Sequence, residues 1–134
     1  MSVNNSTFKK GATAIAPTGG IDQTFTETGS YVQNGINVSD ASVADFRVRP
    51  SVTYKNRQPN QLANGTWTKA KRSATFVIPK IVSTGETVFN LVRIDVEAHP
   101  EFTTAEVNEL RFLGAQILGS AETLNFFQAG SLRS

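Results

Sequence analysis

The chain has 134 residues, 39% of them hydrophobic and 18% charged, and its 13 Lys and Arg against 11 Asp and Glu leave a formal net charge of +2. That length suits one domain, 1–134, which buries roughly two thirds of its unfolded surface. The absence of cysteine excludes disulfides and thiolate chemistry; no apolar run approaches the roughly 18 residues of a membrane span, and the first ten residues lack the apolar stretch of a signal peptide.

Residues 2–17 mix small and β-favouring residues, with Phe8 and Ile15 as large apolar anchors. Pro17-Thr18-Gly19-Gly20 is a turn signal, and Ile21 to Thr28 is rich in β-branched residues. Together they predict an N-terminal hairpin over 1–28. Asn34-Gly35 marks a tight turn, and Ile36 to Ser42 reads as a short strand. Phe46 to Lys55 alternates apolar and polar residues, as a strand does. Pro50 lies inside it without an amide donor, which requires an edge, a bulge or a strand end there. Asn64-Gly65 marks another hairpin turn before a strand over Thr66–Pro79. Lys80 to Thr87 reads as a loop, and Val88 to Ala98 as a further alternating strand. The antiparallel sheet thus spans 35–98.

After His99-Pro100 the period changes to that of a helix. Thr103 and Glu106 form a capping-box pattern ahead of Val107, Leu110, Leu113, Ile117 and Leu118 at helical spacing. Gly119-Ser120 breaks this helix, with Ser120 in position to cap a second one that carries Leu124, Phe126 and Phe127 and ends at Gly130. The helical part covers 103–130, and the fold class is α+β. Two helices are few for covering such a sheet, and the second is apolar for a free end. A partner subunit is therefore expected to complete the core.

Charge is uneven along the chain. Between Phe46 and Gly85 stand eight Lys and Arg and no Asp or Glu. Alternation puts Arg47, Arg49, Ser51, Thr53 and Lys55 on one face of the first basic strand. It puts Lys69, Lys71, Ser73 and Thr75 on one face of the second, and Leu91, Arg93, Asp95 and Glu97 on one face of the last. Paired, the basic strands would present a platform of cations and hydroxyls, the type of surface that holds a phosphate backbone. His99 reads as structural at a strand–helix junction, Trp67 as a packing residue, and Asp95 and Glu97 as a balance for nearby cations. No metal-ligand spacing, phosphate-binding glycine loop or nucleophile–base pattern occurs, so neither an enzyme nor a cofactor is expected.

The order of elements resembles the coat proteins of single-stranded RNA bacteriophages of the levivirus type. The segments that carry the resemblance are Gly29 to Ser39, Phe46 to Val52, Ser73 to Lys80 and Thr103 to Val107. It covers nearly the whole chain and implies an N-terminal hairpin, a five-stranded antiparallel sheet and two C-terminal helices that pack across a dimer partner. It also implies homodimers that assemble into an icosahedral capsid in the bacterial cytoplasm. Genomic RNA would lie against the inner sheet face, and in many members an RNA stem-loop is bound so that replicase translation is repressed. The family's RNA-contacting positions fall on Arg49, Ser51, Thr53 and Lys55, on Lys69, Lys71, Ser73 and Thr75, and on Arg93 and Asp95. The loop Lys80–Thr87 matches the one that meets its copies around the symmetry axes. Where several members place a base-stacking Tyr on the last strand, this chain has Phe89 and Leu91 nearby. The competing expectation is a non-viral RNA-binding module built on a sheet platform.

Overall fold

The computed structural model describes residues 8, 19–20, 22–130 and 132. Five antiparallel strands lie side by side in chain order: β1 (Thr26–Glu27), β2 (Gly35–Ser39), β3 (Ser51–Arg57), β4 (Ala70–Ile81) and β5 (Thr87–Ala98). Helices α1 (Thr104–Gly119) and α2 (Leu124–Ala129) follow. The first segment of the expected N-terminal hairpin lies outside the described residues except for Phe8; of the second, Thr26–Glu27 pairs with Ser39 and Val38 as the sheet's first strand. The chain parts into two compact units, with residues 20–100 carrying the sheet and 101–134 belonging to the other.

Within the sheet unit, β4 and β5 are 12 residues each and pair along their whole length. Gly35 is required where β2 begins beside β3, because a Cβ there would collide with the Tyr54 carbonyl oxygen. The strand expected from Phe46 begins only at Ser51. Phe46–Val48 is instead a 3-10 turn, capped by the Asp45 carboxylate, which accepts from the Arg47 N–H. A side chain that competes locally for backbone donors overrides strand alternation. Pro50 ends up at the strand's start, and its carbonyl accepts from the Asp40 N–H.

Directly paired residues share a face, so the register sorts the sheet into two surfaces. One is apolar and includes Ile36, Val52, Tyr54, Phe76, Val92 and Ile94. Phe25 stands edge-on to Phe76 with ring centroids 5.4 Å apart. Beyond that contact the surface is poorly covered: Tyr54 is 48% exposed, Val92 49% and Ile94 46%. An open groove of about 440 Å³ runs along it, lined by Ile36, Tyr54, Ala74, Ile94 and Val96 with Arg72. Among the described residues only Val52, Ala70 and Ala98 are buried hydrophobics.

In the helical unit, the Thr103 hydroxyl oxygen accepts from the Glu106 N–H at 3.2 Å and the hydroxyl faces Glu106 Oε1 at 3.2 Å, as the capping pattern predicts. The second helix starts later than expected. Ser120 closes α1 through its N–H to the Gln116 carbonyl, a 3-10 turn follows over Ala121–Thr123, and the Thr123 hydroxyl turns back to the Ile117 and Ser120 carbonyls. Gly130 ends α2 at φ +71°, the left-handed cap that favours glycine. No residue of α1 is buried, although Leu110, Ile117 and Leu118 lie on its apolar stripe.

Candidate nucleic-acid interface

The second sheet surface gathers most of the residues singled out by sequence. Thr53 pairs with Thr75 and Lys55 with Ser73 across β3 and β4. Thr75 in turn pairs with Arg93 and Ser73 with Asp95 across β4 and β5. Arg57 pairs with Lys71, and Lys71 with Glu97. Ser51 pairs with Val77 at the far end of the same surface. Lys69 stands one residue before β4 and keeps the parity of Lys71. The surface therefore holds five cations, Lys55, Arg57, Lys69, Lys71 and Arg93, against the carboxylates of Asp95 and Glu97.

One ion pair crosses it, with Arg57 Nη2 3.6 Å from Glu97 Oε1 and both side chains about half exposed. A pair of that kind contributes about 0–1 kcal/mol, so it does not withdraw Arg57 from an incoming phosphate. Hydroxyls and an amide occupy the middle. Asn37 Nδ2 donates to Thr53 Oγ1 at 2.8 Å, and Thr28 Oγ1 donates to Asn37 Oδ1 at 3.0 Å. Thr53 is thus oriented as an acceptor toward β2, which leaves its own O–H available to a ligand.

Arg47 and Arg49 are placed differently from the other candidates. Arg47 belongs to the 3-10 turn and grips Asp45 through two N–H groups, Nε to Oδ1 at 3.1 Å and Nη2 to Oδ2 at 3.0 Å. That contact pulls the Asp45 carboxyl below and pushes the Arg47 guanidinium above their ordinary values. Arg49 donates twice to the Val43 carbonyl. Both arginines line a shallow depression of about 520 Å³ together with Phe46, Ser51, Val77 and Phe89. Phe89, 66% exposed, shares the surface of Arg93 through the alternation of β5.

No protein-family model matches the chain, and no curated protein matches it. Among solved structures, it superposes on the virus-like particle of bacteriophage GQ-907 with a TM-score of 0.91 and 45% sequence identity, over 98% of this chain and 99% of that one. The chain belongs to the levivirus-type phage coat proteins. The fold recurs at lower identity in the virus-like particles of Beihai levi-like virus 21 (TM-score 0.66, 17% identity, 88% of this chain and 93% of that one) and bacteriophage AVE019 (TM-score 0.67, 13% identity, 92% and 99%).

Two parts of the coat protein's surface escaped the sequence. Arg57 lies beyond the strand predicted over Phe46 to Lys55, yet β3 runs through Arg57. Asn37 carries no signal of its own beyond its alternation with Ile36 and Val38. In the loop Lys80–Thr87 the strands of the coat protein continue almost to the tip. The Val82 N–H donates to the Glu86 carbonyl and the Gly85 N–H to the Val82 carbonyl, both at 2.9 Å.

The loop between β2 and β3 is latched by the coat protein's Asp40, which is buried. Its carboxylate accepts from Ser42 Oγ at 2.6 Å, Gln23 Nε2 at 2.6 Å and the Ser42 N–H at 2.9 Å. These bonds, the Ser42 hydroxyl foremost, hold its pKa below the usual carboxylate value. A depressed carboxylate contributes stability above its unfolded pKa and loses it as pH falls through the folded one. The latch should therefore weaken as pH falls below the ordinary carboxylate range and open as it passes through the depressed pKa of Asp40. Hydrogen exchange should show the Asp40, Ser42 and Val43 amides losing protection there, and Asp40→Asn should remove that acid step while weakening protection at neutral pH.

Proposed function

We propose that this coat protein pairs with a second copy of itself and assembles into an icosahedral capsid around single-stranded genomic RNA. The observation that carries the RNA contact is the register that gathers Lys55, Arg57, Lys69, Lys71 and Arg93 on one surface with Ser73, Thr53 and Thr75 between them. Cations on a rigid sheet release the counterions of the phosphate chain. Ser and Thr hydroxyls add directional bonds to phosphate or base edges. Asp95 has the wrong sign for phosphate but accepts from a base amino group. Arg47 and Arg49 stand beside the same surface, and an RNA stem-loop that represses replicase translation would use these residues.

Support for the pairing comes from the opposite surface. Neither the sheet unit nor α1 closes a core by itself: Ile94 and Val92 stay half exposed, and no residue of α1 is buried. The apolar stripe of the partner's helices fits the groove over Tyr54, Ala74 and Ile94 in chemistry. In this arrangement the apolar surface is consumed by the dimer, and the cationic surface faces the shell's interior. The loop 80–87 would then meet its copies around the symmetry axes.

The test is size-exclusion chromatography of the recombinant chain with absorbance at 260 and 280 nm, followed by negative-stain microscopy of the excluded fraction. Isometric particles with excess 260 nm absorbance are expected. A stable monomer that takes up no nucleic acid, even after RNA is added, contradicts both the pairing and the RNA contact.

A further inference from the structure

The β3–β4 hairpin does not end with its strands. The register that pairs Arg57 with Lys71 continues to a bridge between Gln61 and Trp67. The Thr68 N–H donates to the Asn60 carbonyl at 2.8 Å, the Leu62 N–H donates to the Thr66 carbonyl at 2.7 Å, and the turn closes at Gly65 with φ +87°. Pairing of β2 with β3 stops at Lys55, and pairing of β5 with β4 stops at Ala70. Residues 58–69 therefore form a two-stranded arm that runs past both neighbouring strands. Residues 60–67 are all exposed.

The two surfaces of the sheet extend onto this arm. Trp67 has the parity of Lys69, Lys71 and, across the hairpin, Arg57; Leu62 has the parity of Val52 and Tyr54. The arm's two large apolar side chains thus lie on opposite sides. A knob made for an apolar partner would present them together. Leu62 prolongs the apolar surface, whereas Trp67, 44% exposed, stands at the end of the cationic one. An indole beside a row of cations is what a flexible nucleic acid strand engages: phosphates meet the charges, and a base meets the ring.

We propose that Trp67 is a stacking platform for an unpaired base of single-stranded RNA, with Lys69 and Lys71 holding the flanking phosphates. This rests on the RNA contact proposed above and adds a second, sequence-tolerant contact at the arm. Trp67 is the only tryptophan in the chain, so intrinsic fluorescence reports this position alone.

The experiment titrates full-length protein, stripped of nucleic acid, with a short oligoadenylate and separately with inorganic polyphosphate of equal charge. Oligoadenylate should quench the emission by more than half. Polyphosphate should compete for the same sites and leave the emission unchanged. Trp67→Phe should keep nearly full affinity for oligoadenylate, and Trp67→Leu should lose about tenfold. Binding of both ligands without quenching, or undiminished binding by Trp67→Leu, overturns the stacking role and leaves the sheet contact standing. Loss of folding in Trp67→Leu also overturns it, because the ring would then be a packing element. Failure of both ligands to bind removes the RNA contact itself, and the stacking with it.

Discussion

Replacing Lys69 and Lys71 together by Glu should empty the particles of RNA and leave the protein folded and dimeric. The surface holds five cations against two carboxylates, so two reversals turn it into three cations against four carboxylates. Its sign inverts. Each phosphate contact to a single strand contributes about 0.7 to the slope of log affinity against log salt, so loss of two contacts should flatten that slope by about 1.4. The folding cost should be small by comparison. Lys69 is exposed, and the Glu introduced at 71 meets Glu97 directly across the strands, a like-charge pair that costs about 0.2–1 kcal/mol. Against the roughly 5–15 kcal/mol of a typical domain, that leaves the fold in place. The ratio of absorbance at 260 to 280 nm in purified particles, with filter binding of a short RNA over a salt series, measures both effects. Loss of the dimer with RNA affinity retained would mean that these lysines serve the partner contact instead.

The lysines were legible because β4 and β5 are long and each has one polar and one apolar surface. A period of two over 12 residues leaves little room for another placement, and Ser73, Thr75, Arg93 and Asp95 came together as the alternation required. Arg47 shows where that logic fails. Phe46, Val48 and Pro50 keep the alternation of a strand, but the Asp45 side chain captures the Arg47 N–H and Pro50 has no donor to give. A capping aspartate two positions before an arginine was present in the sequence, but alternation masked it. The second helix begins later than Ser120 announces, because the chain first makes a 3-10 turn over Ala121–Thr123 that the Thr123 hydroxyl closes. The arm at 58–69 was half legible. Asn64-Gly65 announced the turn, but the unbroken register from Arg57 to Trp67 depends on cross-strand bonds that no local pattern specifies.

Ile94→Asp should abolish the dimer and, with it, every assembled particle. Ile94 sits in the middle of the apolar surface, paired with Ala74 and lining the groove with Tyr54 and Val96. In a lone chain it is 46% exposed, so a carboxylate there would retain much of its water and the sheet's own hydrogen bonds would be untouched. The cost arises only when a partner covers it. An unpaired charge buried in an interface costs about 3–5 kcal/mol, and a twofold dimer buries the substituted position twice. A penalty near 6 kcal/mol or more weakens association by a factor of about 10⁴ or greater. Sedimentation velocity at micromolar concentration should show the variant as monomer or as aggregate from an unclosed core, because obligate dimers often lack a stable folded monomer. Ile94→Val separates the two causes. It removes one methylene, keeps the surface apolar, and should retain dimers and particles at a cost of about 0.5–1.5 kcal/mol. If Ile94→Asp still assembles, the apolar surface faces solvent in the particle, and the dimer must be built on other residues.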